Sequence, residues 1–155
     1  MVALATQAAA ANKACELLTA SELQTALGAT VTLKGDGAPG AAGLELCRGE
    51  TPTAVVLLRL ATGLNPGRDR SGATERAGIE AAKKRGAQVD VKTFGPITCS
   101  TIVPPANLAQ YGFNTTCAVT KPTAVAAIEV TAKSQKDMVA IDKLRVLAEK
   151  MAGRF

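Results

Sequence analysis

Two cysteine patterns occur twice in this chain and constrain its fold more than any other feature. In one pattern a cysteine precedes a glycine by thirteen residues, and in the other a cysteine precedes a Pro-Thr-Ala-Val motif. The first pattern joins Cys15 to Gly28 and Cys99 to Gly112, and the second begins at Cys47 and at Cys117. The spacing therefore predicts an internal duplication in which all four cysteines occupy equivalent positions.

Four cysteines permit three disulfide pairings. The duplication favours Cys15–Cys47 and Cys99–Cys117, because only this pairing gives each copy its own bridge. In the loop-entropy model each bridge would contribute about 3–4 kcal/mol to stability. Two alternatives stay open, namely four reduced, buried cysteines in a cytosolic protein and a zinc site. The second is the weaker, since the chain has no CxxC pair and no histidine.

The length of 155 residues fits one compact domain. A hydrophobic fraction of 47% with 20% charged residues is typical of a globular chain. We expect one domain over 12–155, built from two repeats at about 12–86 and 87–155. Residues 1–11 form an apolar run followed by small residues, which indicates a signal-peptide remnant or a disordered tail.

The order of predicted elements indicates the α+β class. Turn signals and hydrophobic periodicity predict helices and strands in alternation with short connections. Helices are expected at 19–28, at 73–85, as a short element within 99–112, and from 138 onward; strands are expected at 30–34, 44–48, 53–62, 88–95, 114–120 and 123–132. The duplicated unit is a helix followed by antiparallel strands, with all helices packed on one face of the sheet.

The net charge of +5 raises nucleic acid as a partner. Acidic residues are mixed into every basic stretch, and only four aromatic side chains could stack on bases, so the sequence does not favour nucleic-acid binding. The basic stretch at Arg68 and Arg70 and the basic helix end at 83–85 form a possible anion site. Cations in a last helical turn are also what the helix dipole favours, and we prefer that structural interpretation.

The absence of histidine removes Ser-His-Asp and Cys-His catalysis from consideration. Paired carboxylates stay formally open, but the Asp and Glu residues are scattered, and no pair of them is marked as facing. The sequence therefore predicts no catalytic, cofactor or metal residues, and an enzyme is the least favoured of the function classes.

Two loops are the predicted interaction surfaces. The glycine-rich loop at 35–43 has no counterpart in the second copy, and it lacks the Gly-Lys-Ser/Thr ending of a phosphate-binding loop. The basic loop at 64–71 follows the apolar strand. A loop carried by one copy only is where binding specificity could be added without disturbing the fold. The candidate residues are Gly35, Asp36, Gly37, Gly40, Asn65, Arg68 and Arg70.

Two further hypotheses concern single strand positions. Arg59 and Glu129 both lie twelve residues after a repeat cysteine, so they would form an ion pair if the two repeat strands meet at a pseudo-two-fold axis. Asn114-Thr-Thr116 matches a glycosylation sequon, although we favour polar strand residues as its interpretation.

The segment from Cys15 to Thr19 reads Cys-Glu-Leu-Leu-Thr and continues into Glu22-Leu23 and Leu27-Gly28. Together with the closing helix at 144–150, it resembles small exported bacterial proteins and lipoproteins of unknown function. The resemblance implies an envelope location, a disulfide from Cys15 to Cys47 and a helix-plus-sheet domain, and it transfers no catalytic residues.

From these observations we expect a non-enzymatic binding or structural domain of the bacterial envelope that acts through its loops or its sheet surface. Its partner would be an envelope or extracellular protein or peptide, and the compartment would be periplasmic or extracellular. No membrane-spanning segment is predicted, whereas a lipid anchor in a precursor stays open, as does the oligomeric state. The alternatives are an inhibitor of a secreted hydrolase, for which disulfide-braced loops are suited, and an enzyme of unknown class.

Overall fold

A computed structural model describes residues 11–36, 43–65 and 70–155, and for 70–75 it describes the backbone only. The helices are α1 (Lys13–Glu16), α2 (Ala20–Leu27), α3 (Arg70–Lys84) and α4 (Ile141–Ala152), with 3₁₀ turns at Ala106–Tyr111 and Gln135–Asp137. The strands are β1 (Lys34–Gly35), β2 (Leu44–Glu50), β3 (Ala54–Ala61), β4 (Gln88–Phe94), β5 (Ile97–Val103), β6 (Phe113–Lys121) and β7 (Ala124–Ala132). The predicted combination of helices with an antiparallel sheet is confirmed.

All seven strands form one antiparallel sheet in the order β1-β2-β3-β7-β6-β5-β4. The chain leaves the centre of the sheet after β3, passes through α3 and returns at the far edge as β4. It then winds back strand by strand until β7 lies beside β3. The sheet therefore joins strands from both halves of the sequence at its centre.

One face of the sheet, which we call the core face, carries the main hydrophobic core. Alternate residues of the central strands are completely buried there, among them Val56, Leu58, Ile128 and Val130. Helix α1 packs on β2 and β3, α4 packs on β5, β6 and β7, and α2 packs on α4. Leu144, Leu147 and Met151 form the buried stripe of α4 that its sequence periodicity predicts.

The opposite face, which we call the cavity face, carries Arg59, Glu129 and the other alternate residues. Helix α3 contacts β4, and its residues line a cavity together with residues of this second face. The prediction that all helices pack on one face is therefore not confirmed.

The first predicted helix is confirmed in detail. Thr19 caps α2 through a reciprocal capping box with Glu22, in which each side chain accepts a hydrogen bond from the other residue's backbone N–H. Gly28 ends the helix in the left-handed region at φ 70°, where a glycine carries no steric penalty.

Both predicted disulfides are present. Cys15–Cys47 joins α1 to β2, with the two Cα atoms 5.1 Å apart. Cys99–Cys117 joins the neighbouring strands β5 and β6 at directly opposed positions, with a Cα–Cα distance of 4.0 Å. No described cysteine is free.

The cysteine environments nevertheless differ between the two halves. Cys15 lies in a helix, whereas Cys99 lies in β5, a strand that the sequence interpretation missed. The β-branched residues of 97–103 favour an extended chain, and the Gly95–Pro96 turn folds that segment back on β4 as a hairpin. The predicted strand at 30–34 is reduced to the two residues of β1. The internal duplication is accordingly not confirmed over these segments.

Candidate functional site

A cavity of about 420 Å³ lies between the cavity face, α3 and the segment from Pro104 to Gly112. Most of its wall is apolar or made of small residues. The lining residues are Arg59, Gly78, Ile79, Ala82, Arg85, Ala87, Ser100, Ile102, Pro104, Pro105, Leu108, Tyr111, Gly112, Asn114, Thr116 and Glu129. A volume of this size falls in the range of small-molecule sites.

An ion pair lies among the sheet residues that line the cavity. Nη2 of Arg59 is 3.5 Å from Oε2 of Glu129, and both side chains are about one-third exposed. Arg59 is opposite Ala127 and Glu129 is opposite Leu57, so the two charges meet diagonally across β3 and β7. The hypothesis that Arg59 and Glu129 form an ion pair is thereby confirmed.

The guanidinium of Arg59 keeps one unused donor. Its Nε is buried and has no hydrogen-bond partner among the described residues. A buried donor without an acceptor costs about 1–3 kcal/mol relative to a satisfied one. Because this atom has almost no accessible surface, it faces packed protein atoms and not the open space of the cavity.

Polar residues of β6 and β7 form hydrogen bonds with one another beside the ion pair. The Thr116 hydroxyl donates to Oδ1 of Asn114 at 2.8 Å, and Nδ2 of Asn114 donates to the Thr131 hydroxyl at 3.2 Å. Asn114 is thus a half-buried strand residue that lines the cavity, as the preferred interpretation of its sequon expects. These mutual bonds fix the polar part of the wall in place.

Small side chains of α3 form the opposite wall. Gly78 and Ala82 line the cavity beside Ile79, and none of the side chains that the structure describes in α3 is fully buried. Ala77, on another side of the helix, is exposed.

The segment from Pro104 to Gly112 also contributes an exposed aromatic ring to the cavity lining. Tyr111, which ends the 3₁₀ turn, is 75% exposed, although it contributes to the cavity lining. Pro104, Pro105 and Leu108 line the cavity beside it. An amphipathic ring at the border of an apolar cavity is suited to cover a bound ligand on one side while its hydroxyl stays in water.

The predicted interaction residues do not converge on this cavity. Gly35 and Asp36 line a separate cavity of about 550 Å³ at the β1–β2 edge, where Arg48 and Glu50 pair at 3.2 Å. Asn65 is exposed, and Arg70 begins α3. Gly37, Gly40 and Arg68 lie outside the described residues. The cations at the basic helix end have different surroundings, since Lys83 pairs with Glu80 at 3.3 Å whereas Arg85 lines the first cavity.

A third cavity, of about 330 Å³, lies between α2 and α4 and borders a charged cluster. Glu22 accepts two hydrogen bonds of 2.7 Å from the Arg154 guanidinium, and Lys150 lies 3.5 Å away. Hydrogen bonding to Arg154, followed by the backbone bond from Thr19, lowers the pKa of Glu22 to about 2. The same pair raises the pKa of Arg154. This cluster links α2 to α4 and to the residues that follow α4.

The cavity on the sheet has the features of a binding site. Its walls are mainly apolar, and the Arg59–Glu129 ion pair places two partly neutralised charges among them. Sequence reasoning identified the Arg59–Glu129 pair but missed the cavity around it, because nothing in the sequence indicates that α3 and the Pro104–Gly112 segment border the same strands.

Within the described residues, no helix combines the length and apolarity needed to span a membrane. The chain matches no known protein-family model, and no curated protein shows significant sequence similarity to it.

Proposed function

We propose that this protein is an exported, non-enzymatic binding domain of the bacterial envelope and that its ligand occupies the cavity on the sheet. The observation that carries the proposal is an apolar cavity of about 420 Å³ whose wall includes the partly exposed Arg59 side chain. Two disulfides support export, because such bonds persist in oxidising compartments. The resemblance of the Cys15–Gly28 segment to exported bacterial proteins points the same way.

The ligand that fits this cavity is an apolar group carrying an oxygen acceptor, such as an acidic lipid fragment or an apolar side chain beside a peptide carbonyl. Ile79, Ile102 and Leu108 would contact the apolar part. The partly exposed guanidinium of Arg59 would donate to the oxygen. Glu129 holds the guanidinium in place through the ion pair.

Two fluorescent probes test this chemistry. Anilinonaphthalene sulfonate is apolar and anionic, and phenylnaphthylamine is apolar and uncharged. We expect both to bind and the anionic probe to bind more tightly. Ala82→Trp, which fills the cavity, should abolish both signals. Arg59→Lys keeps the charge but loses the planar guanidinium with its several donors, so it should weaken the binding of the anionic probe by about fivefold to tenfold and leave the neutral probe unchanged.

The control is Val146→Lys, which changes an apolar residue on α4 that is 45% exposed and distant in the fold from the cavity. This variant should bind both probes like the unchanged protein. Equal binding by the Ala82→Trp variant, or loss of binding only in Val146→Lys, would overturn the assignment of the site.

We also infer that the hairpins at 47–62 and 117–132 are copies of one unit. Their shared Pro-Thr-Ala-Val motif supports this inference. Further support comes from the register of β3 and β7, in which the equivalent residues Leu58 and Ile128 stand directly opposite each other. A two-fold axis through that residue pair would exchange the two hairpins and place Arg59 and Glu129 at equivalent positions. Exchanging the charges of Arg59 and Glu129 tests the inference.

A further inference from the structure

Strand β4 forms one edge of the sheet. It occupies the last position in the strand order, and among the described residues only β5 pairs with it. Its seven residues contain no proline, and the four from Asp90 to Thr93 are all exposed. Val91 is 44% exposed, which is unusual for an apolar residue at the middle of a strand. An edge of this kind can accept another strand.

The cross-strand disulfide reveals which backbone groups of β4 point outward. A Cα–Cα distance of 4.0 Å between Cys99 and Cys117 identifies a non-hydrogen-bonded pair, since hydrogen-bonded pairs lie about 5.5 Å apart. The hydrogen bond from the Thr120 N–H to the Pro96 carbonyl makes residues 96 and 120 a hydrogen-bonded pair. Because the two kinds of pair alternate, Cys99 and Cys117, three positions along, form a non-hydrogen-bonded pair. The backbone groups of Cys99 therefore point toward β4, where they meet Lys92.

Alternation along the strand then fixes its neighbours. Because the N–H and C=O of Lys92 are directed at β5, those of Val89, Val91 and Thr93 are directed at the free edge. The side chains of these three residues lie on the cavity face, whereas Asp90 and Lys92 lie on the core face. The edge thus presents three evenly spaced donor–acceptor pairs centred on Val91.

The charges on this edge are self-complementary. Antiparallel pairing of two β4 strands about Val91 puts Asp90 opposite Lys92 of the second copy and Lys92 opposite Asp90 of the second copy. Pairing about residue 90 or residue 92 would instead oppose like charges, which is destabilising. In the single chain the two groups are 3.9 Å apart and more than half exposed, so they stay accessible to a second chain.

Charged residues on an edge strand commonly prevent edge-to-edge association. Here their order disfavours the two registers next to the one centred on Val91 and favours that one. We propose that β4 pairs with β4 of a second copy, with Val91 at the two-fold axis, so that one continuous sheet runs through a symmetric dimer. The contact would also bring the two exposed Val91 side chains together.

Sedimentation equilibrium at low ionic strength, from about 1 μM to 1 mM protein, tests the dimer. We expect reversible dimerisation of the unchanged chain. Asp90→Lys or Lys92→Asp alone should raise the dissociation constant by about tenfold, because each turns two attractive pairs into repulsive ones. The matched controls Glu149→Lys and Lys143→Asp make the same charge changes on α4 and should leave dimerisation unchanged.

Complementation separates the interface from a folding defect. An equimolar mixture of the two single variants should form heterodimers as stable as the original dimer, and the Asp90→Lys/Lys92→Asp double variant should dimerise with itself. A chain that stays monomeric at about 1 mM would overturn the proposal. Single variants that dimerise normally, or an edge that binds an extended peptide of another sequence in preference to its own copy, would overturn it as well.

Discussion

Glu22 and Arg154 tie the first long helix to the end of the chain. The two side chains form a bidentate pair with both distances at 2.7 Å, and the Arg154 guanidinium also donates to the Leu17 carbonyl at 2.9 Å. Glu22 is at the same time the N3 residue of the α2 capping box. One carboxylate therefore stabilises the start of α2 and anchors the residues that follow α4.

This arrangement predicts acid sensitivity that begins below neutral pH. The pKa of Glu22 is about 2 in the folded protein and 4.5 as the ordinary value. Because the folded pKa is the lower one, the stabilisation is complete above about pH 4.5 and is lost as the pH falls toward 2. We expect a contribution of about 1–2 kcal/mol, less than the full shift implies, since the pair lies near solvent.

Chemical denaturation of the unchanged chain and of Glu22→Gln between about pH 6 and pH 2 measures this contribution. The difference in unfolding free energy between the two proteins should shrink as the pH falls. Glu16→Gln on α1, a change of the same kind at an exposed carboxylate, serves as the control. A constant difference between Glu22→Gln and the unchanged chain across this range would refute the role of the ion pair.

The Arg59–Glu129 pair predicts a charge-exchange result. Arg59→Glu and Glu129→Arg should each lower the unfolding free energy by about 1–2 kcal/mol, because each places like charges side by side on a half-buried face. The double exchange should restore stability to within about 0.5 kcal/mol if the two hairpins are equivalent. Reversing the exposed Arg48–Glu50 pair should change little in any combination.

A double exchange that is as destabilising as the sum of its single changes would show that the two positions have different surroundings. That result would contradict the inferred duplication of the hairpins, but it would not contradict the presence of the ion pair.

The disulfides predict a simple mass-spectrometric result for material taken from the native compartment. Alkylation without reductant should label no thiols, and alkylation after reduction should label four, because export into an oxidising compartment closes both bridges. Replacing Cys99 and Cys117 together by alanine should lower the unfolding free energy by about 2–4 kcal/mol. Four thiols in the unreduced native material would contradict export.

The sequence predicted the local structure that depends on nearby residues. The capping box at Thr19 and Glu22 and the apolar stripe of α4 both follow from spacing along the chain, and both are present. The doubled cysteine pattern also predicted the correct disulfides. These features involve either a few neighbouring residues or a covalent bond whose partners the repeat identifies.

The arrangement of distant elements in the fold could not be predicted in the same way. Strand β5 was not predicted, because the expected repeat equated Cys99 with Cys15, which lies in a helix. The β-branched neighbours of Cys99 favour a strand instead. The position of α3 on the cavity face depends on where the chain re-enters the sheet, and hydrophobic periodicity carries no information about that. The cavity could not be predicted for this reason, whereas the Arg59–Glu129 pair could, because both residues lie twelve positions after a cysteine.

The central claim is that the cavity on the sheet binds an apolar ligand with an oxygen acceptor. Methyl-resolved NMR during titration with anilinonaphthalene sulfonate tests it most directly, because methyl groups report contact at single residues. We predict shifts at Ile79, Ile102 and Leu108 that saturate together, with Val146 unaffected. Saturable shifts confined to Val146 and its neighbours on α4, with the three cavity residues unmoved, would contradict the claim.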